Sequence, residues 1–347
     1  MSKYLRRALG SGPRYAPGEV PPDDTWARLN TNEAPLAPSP LVSKAFARAG
    51  GEDLHRYPHA FGEPLRGALA AHHGVAPNQI IVGNGADQVL TWCFRAFAEP
   101  GLPVVMTSPA YGFLESLTAF FGCVRRSPSI TPDGRIPEAF TEIPAPLRFL
   151  VNPSAWTGSW VPAAEIEALV AGVRGVVVID EAYVEFAPES CLPLLSKHPN
   201  CLIVRTFSKS YALAGARVGY AIGSPELIAD LAIVKDPSPV GRLALSAAAA
   251  ALEDQPYHKQ MVDMVCRERE IVTQVLRERG WRVWESYANC VLALPPDGEA
   301  LSWQATLRRD RILVRHTHWD GEDWLRITVG SANDNQRLLA SIARAAQ

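Results

Sequence analysis

The sequence lacks any uncharged apolar run of the roughly 18–20 residues that a membrane-spanning helix requires. Its start, MSKYLRRALGSG, carries charges with no apolar stretch behind them, so no secretory leader is expected. An excess of one charge sign is missing too, since 34 Lys and Arg stand against 36 Asp and Glu for a formal net charge of -2. Without a global basic field the chain is not expected to hold nucleic acid or a membrane surface, and any anionic ligand must be bound by local groups. The six cysteines form no C-x-x-C pair, which argues against a disulfide framework and suits the reduced thiols of a soluble cytoplasmic protein. Close histidine pairs such as His72/His73 and His316/His318 have no H-E-x-x-H context, so no metal is expected. Internal repeats are absent, and the only biased stretch is the alanine run 247–251, which suits a tightly packed helix.

What remains is an ordinary globular composition, 47% hydrophobic and 20% charged over 347 residues, enough for two domains or one large domain with a smaller lobe. The first 35 residues are rich in Pro and Gly and read as an extended arm lying across another surface. Short β-branched runs follow (QIIVG, PVVMTS, LRFLVN, GVVVID, CLIVRTF), each bounded by Gly, Pro, Asn or Asp. Amphipathic stretches such as GADQVLTWCFRAFAE and PAAEIEALVAG separate them. Alternation of strand and helix from about 79 to 222 predicts an α/β fold, a mostly parallel sheet with helices on both faces. Long helical patterns and a smaller α+β part come after it. The expected division is an arm over 1–35 that joins a small domain, a large domain over 36–235, and connecting helices with the C-terminal small domain over 236–347.

Open parallel sheets bind ligands where strands end at their carboxyl edge. LRFLVN ends at Asn152, GVVVID ends at Asp180, and CLIVRTF runs into Ser208 and Lys209. Lys209 lies among uncharged small residues in SKSYALAGA, where partial desolvation favours the neutral, nucleophilic amine used for Schiff bases. A Schiff-base lysine, a strand-end aspartate and phosphate-binding groups together match the demands of pyridoxal 5'-phosphate. Its ring nitrogen needs a carboxylate partner, for which Asp180 is placed, and its 3-oxygen needs neutral donors, for which Asn152 and Tyr183 are candidates. The phosphate needs a helix N-terminus and a cation. VGNGADQVL offers a glycine turn (Gly83, Gly85) and a helix start at Ala86 and Asp87, and Ser208 and Arg217 add a hydroxyl and a guanidinium. A nicotinamide fingerprint would place a third glycine where Gln88 stands.

With those residues in place, the chain resembles the fold-type-I pyridoxal-phosphate aminotransferases, and within them the histidinol-phosphate aminotransferase family, over nearly its whole length. The stretches that carry the resemblance are PRYAPG, LNTNEAP, RYPHAFG, VGNGAD, SPAYGF, VIDEAYVEF, RTFSKSYALAGARVGYAIG, ILVRH and LRITVGSANDN. It implies ping-pong transfer between an amino donor and a 2-oxo acid through a Lys209 aldimine, with Lys209 moving the proton. Tyr111 would lie over the cofactor ring, and Tyr57 would reach the neighbouring subunit's phosphate, making the enzyme a homodimer. Arg315 and Arg326 would clamp a substrate phosphate or carboxylate, Tyr15 would close the lid, and Asn32 would line the entrance. The spacing of ILVR and WLRITV further suits an antiparallel pair bringing both arginines to one mouth.

Two departures bear on the substrate. NPSAWTG has Trp156 where the family typically shows proline, and KDPSPVGRLA has Ser238 and Pro239 where many members place aromatic and amide residues. An aminotransferase for aromatic or other amino acids, or an enzyme like threonine-phosphate decarboxylase, would use the same cofactor site, and these alternatives stay open beside histidinol phosphate with 2-oxoglutarate.

Overall fold

The computed structural model describes the chain apart from residues 1, 7, 8, 10–14, 50–52, 132 and 346–347. Pro13 and Arg14 of PRYAPG thus lie outside the described residues. Strand β1 (Ala27–Leu29) comes from the arm. The next seven, β2 (Ile80–Asn84), β3 (Pro103–Met106), β4 (Val124–Arg126), β5 (Leu147–Val151), β6 (Val176–Asp180), β7 (Cys201–Thr206) and β8 (Val218–Gly223), form one sheet in the order β2-β8-β7-β6-β5-β3-β4. The last four, β9 (Arg282–Val283), β10 (Cys290–Leu294), β11 (Ile312–Trp319) and β12 (Glu322–Thr328), join β1 in a second sheet ordered β1-β11-β12-β10-β9.

The β-branched runs become strands because helices cover them on both faces, so no polar alternation is required. β6 and β7 are buried at every position. On one face the helices Gly85–Phe97 and Gly112–Phe120 pack Trp92, Phe94 and Leu114 against the sheet, with the Phe94 ring stacked on Phe149 at 5.0 Å. Each such buried aromatic or branched side chain contributes about 1.5–3 kcal/mol. The other face is covered by Phe140, Ile166 and Val170, and by the helix Arg242–Glu253, whose buried Ala247, Ala248 and Ala251 let it sit close to Leu65 and Ile80.

Three elements differ from the sequence expectation. β8 runs antiparallel to both β2 and β7, whereas the other pairings of this sheet are parallel. The link between Thr206 and Val218 holds only a 3-10 turn, Ala214–Ala216, too little chain for the helical crossover that a parallel return needs. As a result, Arg217 at the start of β8 stands at the same edge as the carboxyl ends of its neighbours. β4 is an edge strand of VRR whose two arginines hide its pattern. In the arm, Ala27–Leu29 is regular after all and pairs in parallel with β11.

The second sheet has one face packed on helices, where Leu325 and Ile327 meet Leu276 of the long helix Gln255–Glu278 and Leu338 of the final helix Ala332–Ala345. By the period of two, Glu322, Trp324, Arg326 and Thr328 share the opposite face. One backbone contact fixes the edge of the large sheet. A Cβ on Gly219 of β8 would stand 2.3 Å from the Ala86 nitrogen, so only glycine lets the start of the helix Gly85–Phe97 come this close to the strand.

Candidate active site

A cleft of about 600 Å³ lies between the carboxyl edge of the large sheet and the inner face of the second sheet. Asp180 ends β6, and Lys209 follows β7 by three residues, so two of the three strand-end groups named from sequence border this cleft. Asn152, the third, does not. Its side chain donates to the Val161 carbonyl at 2.9 Å and accepts from the Val161 N–H at 2.8 Å, which turns the amide into a brace for the loop after β5. The expectation of an Asn152 contact to a ring oxygen is therefore corrected, while Tyr183 does border the cleft.

Lys209 donates from Nζ to the Asn32 carbonyl at 3.0 Å and stands 5.6 Å from the centre of the Tyr183 ring. Burial, and then the positive charge of Arg326, hold its amine down to about 8. Asp180 is buried and accepts from the Ala182 N–H at Oδ1, at 3.0 Å. Its second oxygen has no hydrogen-bond partner among the described residues. Burial first, with help from the nearby Asp87 charge, pushes it up to about 7 against the Ala182 hydrogen bond and Lys209.

The helix Gly85–Phe97 begins at the cleft with Gly85 at φ +74°, and its first N–H groups have no partner inside the helix. Ala86 and Asp87 line the cleft; Gly85 lies just behind them, under the Arg217 guanidinium. Asp87 accepts from Arg217 at 2.8 Å and from the Tyr111 hydroxyl at 3.0 Å. Its carboxylate is thus engaged, and what it offers an anion is its backbone N–H. Ser208 Oγ accepts from Arg217 at 3.4 Å and from Thr206, a lining residue that the sequence reading passed over.

Across the cleft, Arg315 of β11 and Arg326 of β12 are direct cross-strand partners, and both line the opening. Arg315 donates to the Ala16 carbonyl at 3.0 Å, Arg326 to those of Ala155 at 3.0 Å and Asn30 at 3.3 Å. Tyr15 packs edge-on against Tyr111, their ring centres 5.9 Å apart. Asn32 also lines the cleft. Buried and at φ +54°, it donates to the Tyr183 hydroxyl at 3.1 Å, accepts from Thr328, and offers its carbonyl to Lys209 and Asn289. Trp156 lines the cleft, whereas Ser238 and Pro239 do not. Tyr57 lies away from it, 90% exposed. Behind the floor lies a buried pair that the sequence did not reveal: Arg205 donates from Nε and Nη2 to one Glu181 oxygen, at 3.0 and 2.8 Å, and also to Ser190. The adjacent charges in VIDEAY were its one sequence signal.

A strand-end lysine, a buried carboxylate and a helix N-terminus around one cleft define a pyridoxal-phosphate enzyme of the aminotransferase class. The family model of class I and II aminotransferases matches residues 24–342, and the chain belongs to that family. Within it, the chain belongs to the histidinol-phosphate aminotransferases: it is 39% identical to histidinol-phosphate aminotransferase 1 of Nostoc sp. over 99% of this chain and 98% of that one. A counterpart in Pseudomonas aeruginosa is 38% identical over 99% of both chains. The crystal structure of the Sinorhizobium meliloti histidinol-phosphate aminotransferase with pyridoxal-5'-phosphate superposes with a TM-score of 0.85, at 29% identity and 92% coverage of each chain. The protein is an enzyme, a pyridoxal-phosphate-dependent aminotransferase of fold type I, acting on an amino donor and a keto acid.

The residues present fit that cofactor. Asp180 has an oxygen free for a ring N–H, the Lys209 amine is held toward its neutral form, and the close approach of Gly219 leaves the first N–H groups of the helix Gly85–Phe97 at the cleft.

These two shifted groups give the apoprotein a defined pH profile. Asp180 favours its protonated form in the fold, so its stabilising contribution is complete below the ordinary value of 3.8 and is lost as pH rises through about 7. Lys209 favours its neutral form, so stability is regained as pH rises from about 8 towards 10.5. Urea unfolding of the apoprotein is expected to show a minimum in this contribution between pH 7 and 8. In Asp180→Asn the fall on the acid side should flatten; an unchanged fall would assign that limb to another group.

Proposed function

We propose that this enzyme transfers the amino group of histidinol phosphate to 2-oxoglutarate. The observation that carries the reading is the Arg315–Arg326 cross-strand pair at the mouth of the cleft. Two donors that differ in their distal anion must use one site in turn, and a planar guanidinium pairs with phosphate or carboxylate alike. The names of the relatives support the same donor.

Bound pyridoxal phosphate supplies an aldehyde that takes up the donor's amino group and a ring that accepts the electron pair left at its α-carbon. Lys209 would hold the cofactor, and its amine, free at the cleft, would move the proton to and from the donor's α-carbon. Asp180 would keep the ring nitrogen protonated. Tyr183 would donate to the ring oxygen and Tyr111 would cover the ring face. The N–H groups of Ala86 and Asp87, with Gly85 permitting the turn, would hold the phosphate together with Ser208 and Arg217. Tyr15 closes the mouth and excludes water, and Asn32 sets the resting position of Nζ through its carbonyl.

Steady-state kinetics with phosphorylated and unphosphorylated donors test the substrate. Arg315→Ala is expected to lower kcat/KM for histidinol phosphate more than for glutamate, and Arg326→Ala to lower both, each by about 2–4 kcal/mol if a charge-assisted bidentate contact is lost. Trp156 on the cleft wall favours one other reading, an aromatic donor. Turnover of an uncharged aromatic amino acid without turnover of histidinol phosphate would establish it in place of the first.

We also propose a homodimer in which Tyr57 reaches the partner's phosphate site. Its support is the exposure of Phe46, Leu54, Tyr57 and Phe61, four large apolar side chains within one stretch of sequence that a monomer would leave in water. Tyr57→Ala should weaken cofactor retention by roughly 10- to 100-fold, the worth of a hydrogen bond to a charged group; sedimentation of a fully active monomer would refute the arrangement. We place the enzyme in the cytoplasm, which its six free thiols suit. Among the described residues no helix is long and apolar enough to cross a membrane. We propose the domain division at 35 and 235 as well, a reading that the two separate sheets support.

A further inference from the structure

A second groove, of about 570 Å³, lies at the far end of the inner face of the second sheet. The face that brings Arg326 to the cofactor cleft carries Trp324 and Glu322 further along β12. The loop after β5 is shared in the same way, with Ala155 and Trp156 on the cleft and Ser159 and Trp160 on the groove. The two hollows are therefore neighbours with separate walls.

The composition of this groove is unlike the cleft. Trp160, Trp284, Trp319, Trp324 and Tyr287 line it, with Trp160 and Tyr287 at 5.4 Å between ring centres and Trp284 and Trp319 at 5.3 Å. Four carboxylates stand among them, and three are paired, Asp133 with Arg135, Glu285 with Arg277 and Glu322 with Arg282, which leaves Asp320. Arg282 already shows what these walls attract, since it lies 4.8 Å over the Trp324 ring while paired with Glu322. Asp320 makes no ion pair among the described residues. Beneath the groove, Trp324 and Thr317 are direct cross-strand partners, both at least nine-tenths buried, and neither Trp324 Nε1 nor Thr317 Oγ1 has a hydrogen-bond partner among the described residues.

Aromatic faces attract cations through the ring quadrupole, most strongly where water is excluded, and surrounding carboxylates add to the same preference. We propose that this groove binds a small organic cation, an ammonium group carried on a flat apolar body, independently of the cofactor cleft. The arginine pair of the cleft selects anions, and this second hollow selects the opposite charge from the same sheet face.

Calorimetric titration of the cofactor-loaded enzyme with benzyltrimethylammonium, at fixed ionic strength, tests the proposal. Saturable binding is expected, at least tenfold tighter than that of benzyl alcohol, which has the ring without the charge. Trp319→Ala and Asp320→Asn should each weaken it several-fold, and saturating glutamate should leave it unchanged. Asp320→Asn sits in an exposed turn at φ +54°, a conformation asparagine tolerates, so the test survives should Trp319→Ala not fold. Absence of saturable binding, equal binding of benzyl alcohol, displacement by glutamate, or full affinity in Asp320→Asn would each overturn the proposal.

Discussion

Lys209→Ala is expected to bind pyridoxal phosphate reversibly, to retain none of it after borohydride reduction and dialysis, and to lose turnover by more than about 1,000-fold. General acid–base catalysis by one positioned side chain is worth about 10²–10⁴-fold, and this residue also provides the covalent tether. Its neighbours make substitution of the role difficult. The Asn32 carbonyl and the Tyr183 ring hold Nζ in place, and burial with Arg326 brings the amine down to about 8. A surface lysine could not stand in, since none of those conditions would hold for it. The fold itself should survive, because the methylenes end at the cleft and fill no core cluster. Mass spectrometry of the reduced protein and stopped-flow turnover read the two effects separately. Wild-type activity in Lys209→Ala would remove the whole assignment.

Asp180→Ala should slow turnover by about 3–5 kcal/mol, the scale on which a buried charge loses its only partner. The carboxylate is enclosed and pushed up to about 7 in the apoprotein, so its ionised form is disfavoured until a positive group meets the free oxygen. A ring N–H is such a group, and pairing with it returns Asp180 to its charged state. Loss should appear both as weaker cofactor affinity and as a slower step at the α-carbon, visible in a deuterium isotope effect at that carbon. Asp180→Asn, which keeps the shape and removes the charge, should resemble alanine more than wild type. Rates within a few-fold of wild type would give the role to another residue.

The large sheet was legible because burial on both faces leaves β-branched residues little choice, as at VVVID and CLIVRT. Asp180 and Lys209 were legible for a related reason: a charge written directly after such a run must stand at a strand end. The direction of β8 could not be read from VGYAIG, which is apolar either way; the short link before it decided the matter. Asn152 looked like a cofactor contact from its place in the chain, yet a turn was its partner, nine residues on. Asn32 does line the cleft, but its partners Tyr183 and Thr328 lie 151 and 296 residues away, beyond what spacing along the chain can show. The Arg315–Arg326 pair fell between these cases, since two strands close in sequence can be matched by spacing alone.

The Asn32–Thr328 contact has a bearing on the order in which the molecule is made. Strands β2 to β8 are contiguous in sequence, so the large sheet can assemble while the last third of the chain is still on the ribosome, as domains generally do. The seat of Lys209 cannot. Its carbonyl acceptor belongs to Asn32, synthesised early, and Asn32 is held by Thr328 near the chain's end. β1 likewise waits for β11, its partner in the second sheet. The nascent chain therefore carries a finished scaffold with an unfinished lysine site, and capture of the aldehyde becomes one of the last events of its birth.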